Sequence, residues 1–337
     1  MSSLVNATTT DLIDRFGRKV DYLRISITDR CDFRCQYCMA EHMEFLPRAQ
    51  VLTLEEIHAI ARAFTELGVK KIRITGGEPL VRKGVLELLD NIGRLPGLNE
   101  LVLTTNGSQL AAMAAAIKRA GVKRINVSLD SLDADKFKAI TRVGDLQQVL
   151  HGIETAQQVG FQRIKLNAVI LKNRNHDETV DLVCFAVDRG LDISFIEEMP
   201  LGVIGSHDRA EAFYSSDAIK ADLDREFLLV ASTEKTGGPS RYFQVAGTAT
   251  KVGFISPHSH NFCSTCNRVR LTAEGRLLLC LGNEHSVDLK RVIRANPGDA
   301  SALKKAIIES MKIKPERHEF DLTEQPVIFR HMNVTGG

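Results

Sequence analysis

The sequence predicts an α/β fold, an incomplete (β/α)6 TIM-like barrel that is open on one side. Between residues 22 and 199, six short β-rich runs alternate with longer amphipathic helical patterns. This alternation favours parallel strands joined by right-handed crossovers. A closed barrel needs eight such units and about 250 residues, so six units leave the barrel incomplete. A doubly wound open sheet is the alternative that periodicity alone leaves open.

The β-rich runs predict strands over residues 22–28, 70–75, 100–105, 124–129, 163–171 and 192–199. Between the first two, Thr53 and Glu56 fit the capping box of an amphipathic helix. After residue 199 the alternation stops. The pattern there predicts a helix within 215–230, strands within 241–256 and a helix near 299–311.

Polar and apolar side chains alternate along the predicted strands, so that one face of each strand is polar. The apolar neighbours, such as Ile25 and Ile72, would face the helices. A packed barrel interior is normally Val, Ile and Leu, so a polar interior with several cations predicts a cavity for an anionic ligand. The polar faces carry Arg24, Ser26, Thr28, Lys71, Arg73, Thr75, Asn126, Ser128, Asp130, Lys165 and Asn167.

Composition and charge argue against nucleic-acid-binding, membrane and secreted proteins. The chain has 337 residues, and its 44 basic and 42 acidic side chains leave a net charge of +2. This balance argues against a nucleic-acid-binding surface, so any anion site must be local. No apolar run reaches the roughly 18 residues that a membrane span needs, and the first 20 residues do not resemble a signal peptide. We therefore expect a cytoplasmic protein that binds neither membrane nor nucleic acid.

Six of the seven cysteines form two groups of three, which indicates metal binding in a reducing compartment rather than disulfide pairing. The first group, CDFRCQYC, supplies Cys31, Cys35 and Cys38 directly after the first predicted strand. Such closely spaced thiolates favour an iron–sulfur cluster over zinc. Three ligands leave one iron of a four-iron cluster open to another molecule. The seventh cysteine, Cys184, is expected to be a buried apolar residue of a helix.

The second group is Cys263, Cys266 and Cys280. Zinc is a stronger alternative here, because one of three nearby histidines could be the fourth ligand. Between these cysteines, Arg268 and Arg270 would point the same way from an extended segment. The histidines are His258, His260 and His285.

Several motifs together resemble the GTP 3′,8-cyclase family of molybdenum cofactor biosynthesis, within the radical S-adenosylmethionine (SAM) superfamily. The motifs are CDFRCQYC, TGGEP, TTNG, NVSLDS, CSTCNRVRL and the final Gly-Gly. The resemblance implies a barrel of the radical SAM type, with a C-terminal extension that carries a second iron–sulfur cluster. It implies two [4Fe-4S] clusters and SAM as cofactors. The expected reaction converts GTP to (8S)-3′,8-cyclo-7,8-dihydroguanosine 5′-triphosphate through a 5′-deoxyadenosyl radical.

The resemblance also implies roles for individual residues. The two cysteine triads would each hold a cluster, and the final Gly336 and Gly337 would reach into the active site. SAM contacts would come from Tyr37, Gly77, Ser128 and Met199. GTP contacts would come from Arg24, Arg73, Thr104, Lys165, Arg268 and Arg270.

The expected organisation is an N-terminal segment 1–20, a radical SAM partial barrel 21–230 and a C-terminal region 231–337 that binds cluster and substrate. Expected partners are an electron donor such as flavodoxin or ferredoxin, cyclic pyranopterin monophosphate synthase as the next enzyme, and a second copy in a homodimer. Two other functions remain open from the residues alone. They are a peptide-modifying enzyme with two clusters and an electron-transfer protein, although the latter would saturate each cluster with four cysteines.

Overall fold

The computed structural model describes residues 11–161, 163–204, 207–234, 236–322 and 328–336. Six strands form the predicted partial barrel, and each pairs in parallel with the next along the chain. They are β1 Tyr22–Ser26, β2 Lys71–Thr75, β3 Glu100–Thr105, β4 Val122–Ser128, β5 Ile164–Val169 and β6 Asp192–Ile196. The predicted runs for β1, β5 and β6 extended two or three residues past the last residue of each strand, into the loops that follow.

The rest of the described chain adds strands at both ends of this sheet. These are β7 Leu229–Ala231, β8 Arg241–Val245, β9 Lys251–Ile255, β10 Arg268–Leu271, β11 Arg276–Leu278 and β12 Ser286–Asp288. The order across the sheet is β12-β11-β10-β1-β2-β3-β4-β5-β6-β9-β8-β7. Strand β9 extends the barrel beside β6, and β10 extends it beside β1, both in parallel. The predicted domain boundary at residue 230 stays a prediction.

Helices follow the strands of the barrel. The helices within the described ranges are α1 Leu54–Glu66, α2 Val85–Gly93, α3 Leu110–Arg119, α4 Ala134–Thr141, α5 Leu146–Val159, α6 Thr179–Asp188, α7 Arg209–Ala212, α8 Ser216–Leu223, α9 Leu289–Ala295, α10 Ala300–Ser310 and α11 Met332–Thr335. The predicted capping box opens α1, because Thr53 Oγ1 accepts from Glu56 N and Glu56 Oε2 accepts from Thr53 N. Cys184 on α6 is exposed, so the prediction of a buried thiol was wrong.

The hydrophobic core lies between the strands and these helices. Ile25, Ile72 and Leu166 alternate with the polar residues of β1, β2 and β5, and all three are fully buried. Each such side chain stabilises the fold by roughly 1.5–3 kcal/mol when it leaves water. The apolar face of every barrel strand therefore faces the helices, and the polar face is left to line the interior.

Candidate active site

The barrel interior is a cavity lined by the polar strand faces and by both groups of cysteines. The cavity opens to solvent at its mouth. Of the site residues that the sequence predicted and the structure describes, all except Gly336 line this cavity. The cavity therefore brings both cysteine triads and the predicted cations onto one surface.

Three arginines lie side by side across the cavity wall. The strand register pairs Arg24 of β1 with Arg270 of β10 on one side and with Arg73 of β2 on the other. Like charges directly opposite each other destabilise a sheet. Burial and then Arg270 lower the pKa of Arg24, and burial and Arg268 lower the pKa of Arg270 to about 10. A row of this kind is suited to binding a multiply charged anion.

Arg73 is held at both edges of its guanidinium. Its Nε donates to the Tyr22 hydroxyl at 2.5 Å, and its Nη1 donates to Thr104 Oγ1 at 2.8 Å. Burial alone would raise the pKa of Tyr22, but Arg73, Arg24 and Lys71 lower it to about 7. Tyr22 was missed in the sequence, although its position two residues before Arg24 places it on the same face of β1.

The other cations predicted to bind GTP interact with different kinds of partner. Lys165 Nζ donates to Ser194 Oγ at 3.1 Å and to the Tyr242 hydroxyl at 3.3 Å. The guanidinium of Arg268 lies 5.0 Å from the ring centre of Phe262.

Lys71 shares the polar face of β2 but is already paired. Its Nζ lies 2.7 Å from a carboxylate oxygen of Glu100. This salt bridge balances the charge of Lys71 within the protein.

Asp32, which directly follows Cys31, fixes the loop that carries the first cysteine triad. One carboxylate oxygen of Asp32 accepts from Asn106 Nδ2 at 2.7 Å, and the other accepts from Ser108 Oγ at 2.6 Å. Burial raises the pKa of Cys35, and it raises that of Cys38 to about 12. Since a metal binds the thiolate, these thiols lose their protons when a metal binds.

The GGEP turn after β2 packs directly on the backbone that leads to Cys31. Gly77 N donates to Thr28 O at 2.8 Å, and a Cβ on Gly77 would lie 2.5 Å from Arg30 O. Only glycine permits this approach. The buried Glu78 carboxylate then accepts from Thr105 Oγ1 at 2.8 Å and from Asn106 N at 2.6 Å. The turn therefore ties the ends of β1, β2 and β3 together.

The remaining predicted SAM contacts lie at the same mouth of the barrel. The Tyr37 hydroxyl donates to Asp130 Oδ2 at 2.7 Å, and Asp130 Oδ1 accepts from Val169 N at 2.9 Å. Ser128 ends β4, and Met199 follows β6. Both line the cavity.

A buried ion-pair network holds the loop that contains Met199. Glu198 lies 2.7 Å from Nε2 of His207 and 3.1 Å from Nε of Arg209. Arg209 also donates to the carbonyl oxygens of Leu201 and Gly202, at 2.5 and 2.9 Å. No periodic pattern in the sequence predicted this network, because it lies in the irregular segment after β6.

The second cysteine triad lies at the opposite edge of the sheet from the first. Cys31 follows β1, whereas Cys266 precedes β10, which is parallel to β1. Cys280 follows β11, which is antiparallel to β10 and returns to the same edge as Cys266. The arginine row therefore lies between the two triads.

The three histidines of the zinc alternative each have one ring nitrogen in contact with another residue, and zinc at the second triad stays an alternative. His258 Nε2 lies 2.9 Å from Glu198 O, and His260 Nε2 lies 2.8 Å from Asp217 Oδ1. His285 Nδ1 contacts Asn283 Oδ1. Across the part of the chain that the structure describes, no three His, Cys, Asp or Glu side chains converge on a single-ion site.

The C-terminal segment returns to the cavity wall. Asn333 Nδ2 donates to Asp29 O at 2.8 Å, and Arg270 Nη1 donates to Gly336 O at 2.7 Å. Gly336 is buried against Thr75 of β2. The predicted Gly337 lies outside the described residues.

Comparison with known proteins identifies the family. Residues 25–186 match the radical SAM superfamily, and residues 191–320 match Molybdenum Cofactor Synthesis C. A GTP 3′,8-cyclase of Pseudomonas putida (strain W619) is 62% identical, over 97% of this chain and 98% of that protein. The enzyme of the same name from Pseudomonas fluorescens (strain Pf0-1) is 61% identical, again over 97% and 98%.

Solved structures with low identity share the fold. Streptococcus suis SuiB bound to S-adenosylmethionine aligns with a TM-score of 0.62 at 15% identity, over 85% of this chain and 68% of that chain. Among the described residues, no helix has the length and apolar character to cross a membrane. The identity to the curated relatives over nearly the whole chain is decisive: the chain belongs to the GTP 3′,8-cyclase family of the radical SAM superfamily.

Proposed function

We propose that this chain converts GTP to (8S)-3′,8-cyclo-7,8-dihydroguanosine 5′-triphosphate, the first step of molybdenum cofactor biosynthesis. The observation that carries this proposal is the row of Arg24, Arg73 and Arg270, placed between two cysteine triads in one cavity. A radical SAM enzyme that acts on a neutral peptide would not need three adjacent cations on its cavity wall.

Membership of the radical SAM superfamily implies an iron–sulfur cluster and SAM. Cys31, Cys35 and Cys38 would hold that cluster, because they sit on a loop fixed by Asp32 and lie with free thiols at the cavity mouth. When bound there, the cluster and SAM would supply the radical chemistry that removes the ribose 3′ hydrogen of GTP. The SAM contacts proposed are Tyr37, Gly77, Ser128 and Met199.

The second triad would hold a second [4Fe-4S] cluster, which would bind the guanine of GTP. Cys263, Cys266 and Cys280 fit a cluster of this kind, because they are free and gathered at one edge of the sheet. Burial raises the pKa of Cys266, but Arg268 and Lys314 lower it overall. This electropositive setting favours the thiolate that a cluster needs.

The chain itself would bind and orient the nucleotide. No Walker-type phosphate loop occurs in the sequence, so the triphosphate would be held by side chains. The arginine row supplies paired donors for the phosphates, and Lys165 and Arg268 add charge at either side. Thr104 would contact GTP and would also hold Arg73 in place, because its hydroxyl accepts from Arg73 Nη1. Fixing the ribose between SAM and guanine brings C3′ and C8 into a reactive arrangement.

We also infer the setting of the reaction from the family. An electron donor such as flavodoxin or ferredoxin would reduce the clusters, and cyclic pyranopterin monophosphate synthase would take the product. The enzyme would work in the cytoplasm, where its free thiols stay reduced, and would form a homodimer.

A direct comparison of nucleotides tests this function. The anaerobically reconstituted chain would be incubated with dithionite, SAM and either GTP or ATP, and 5′-deoxyadenosine would be measured by chromatography. We expect its formation to depend on GTP and to accompany a product isomeric with GTP by mass. SAM cleavage that is equal with ATP and GTP would retain the superfamily but contradict the substrate.

A further inference from the structure

Lys314 is a fully buried lysine that the sequence did not single out. It follows a short 3-10 helix at Met311–Ile313, and 1% of its surface is exposed. Its ammonium group has three donors. They point to Leu279 O at 2.6 Å, Arg268 O at 3.1 Å and Cys266 Sγ at 3.8 Å. Leu279 directly precedes Cys280, and Arg268 lies two residues after Cys266. All three acceptors therefore belong to the second triad or to its immediate neighbours in the chain.

A second cation anchors the same short segment to the remaining cysteine. Arg18 donates to Cys263 O at 2.8 Å and to the carbonyl oxygens of Pro315 and Glu316, both at 2.6 Å. Residues 314–316 therefore connect the backbone around all three ligands.

The two cations differ in charge balance. Arg18 forms an ion pair with Asp14 at 2.6 Å. Within the described ranges no carboxylate lies in salt-bridge distance of Lys314, whose partners are two carbonyl oxygens and a sulfur. An uncompensated buried ammonium is costly. When a cluster is bound, the negative charge nearest to the Lys314 ammonium is that of the three thiolates and the cluster itself.

We propose that Lys314 is a positioning residue of the second metal centre and that its positive charge compensates the negative charge of that centre. It holds the segments of Cys266 and Cys280 at one spacing and makes the cluster easier to reduce, because reduction adds negative charge beside the ammonium. The inference rests on the proposed second cluster at Cys263, Cys266 and Cys280, and it assigns a role in that site to a residue outside the cavity lining.

The neutral variants Lys314→Gln and Lys314→Met test this inference in the full-length chain. Glutamine retains hydrogen bonding without charge, and methionine removes both. Lys312→Met is the matched control, because Lys312 lies two residues away with 69% of its side chain exposed and pairs with Glu309 at the surface. Folding of each variant would be checked by circular dichroism and thermal melting before any metal is added.

The readouts are iron content and cluster potential rather than turnover. Each chain would be reconstituted anaerobically, its iron counted, and its clusters titrated by electron paramagnetic resonance. The second cluster would be recognised as the signal that SAM does not perturb. We expect Lys314→Gln to shift the midpoint potential of this signal to more negative values, and Lys314→Met to lose its second-cluster iron at least several-fold faster to a chelator. Lys312→Met should match wild type in both.

Two results would count against different claims. Wild-type protein that binds only about four irons would contradict the second cluster itself. Wild-type protein with about eight irons, whose Lys314→Gln and Lys314→Met variants keep both the potential and the rate of iron loss, would overturn the role of Lys314 and leave the proposed function intact.

Discussion

Arg270 Nη1 donates a 2.7 Å hydrogen bond to the carbonyl oxygen of Gly336. This contact joins the arginine row of the barrel to the end of the chain, 66 residues away. Gly336 also has a positive φ of 78°. The C-terminal segment is therefore part of the cavity wall, beside the residues proposed to bind GTP.

Gly336→Ala should displace the tail and reduce GTP turnover. A Cβ at this position would collide with Thr75 Oγ1, so the tail must move away from Arg270. We expect kcat to fall at least about tenfold, while iron content and SAM binding stay at wild-type levels. Gly298→Ala is the matched control, because Gly298 has the same φ of 78° and nothing within 4 Å of its Cβ position. Equal turnover in the two variants would show that the tail position does not matter.

Arg73→Lys should weaken GTP binding while leaving SAM binding unchanged. Lysine cannot make the two-sided contact that Arg73 makes with Tyr22 and Thr104. Loss of one charge-assisted hydrogen bond costs about 1.5–3 kcal/mol, so KM for GTP should rise about 10-fold to 100-fold. Steady-state kinetics would measure this, with Arg119→Lys on the exposed face of α3 as the control. An unchanged KM would remove Arg73 from the substrate site.

GTP binding should weaken as pH rises from about 7 to 9, through Tyr22. Cations lower the folded-state pKa of this phenol from 10.0 to about 7, so it ionises as pH rises through that value. A bound triphosphate repels the phenolate and favours its protonated form, so binding takes up a proton and loses affinity with increasing pH. Isothermal titration calorimetry should show proton uptake at pH 8 that is absent in Tyr22→Phe. Equal uptake by both proteins would contradict the assignment.

Gly77→Ala should impair the SAM end of the site. The new methyl group would lie 2.5 Å from Arg30 O, which is backbone and cannot rotate away. Such overpacking typically costs about 1–3 kcal/mol, and the movement would be transmitted to the loop that holds Cys31. We expect a lower melting temperature and loss of SAM affinity, measured by equilibrium binding, with retention of GTP affinity. Wild-type SAM affinity would contradict the close packing.

Local patterns were enough to predict the barrel and much of its interior. The alternation around Arg24 and Arg73 identified the cavity face, because each strand buries one face against helices and leaves the other polar. Strand ends were less certain, since residues such as Thr28 continue the alternation after the hydrogen-bonded ladder has ended.

Long-range pairing could not be predicted in the same way. Nothing in the local sequence of β10 places Arg270 beside Arg24, because that neighbour lies 246 positions earlier in the chain. Lys314 likewise reaches Cys266 across 48 residues and lies in a segment without regular periodicity. Gly336 was identified through resemblance alone, because a terminal glycine pair carries no local signal.

Hydrogen transfer from GTP tests the central claim most directly. GTP deuterated at C3′ would be supplied to the anaerobic, reconstituted enzyme with SAM and dithionite, and the 5′-deoxyadenosine would be analysed by mass spectrometry. We predict that 5′-deoxyadenosine gains one deuterium from C3′ while GTP is converted to its cyclised isomer. 5′-Deoxyadenosine that forms without deuterium, or that takes it from GTP labelled at another carbon, would contradict the proposed position of GTP between the two cysteine triads.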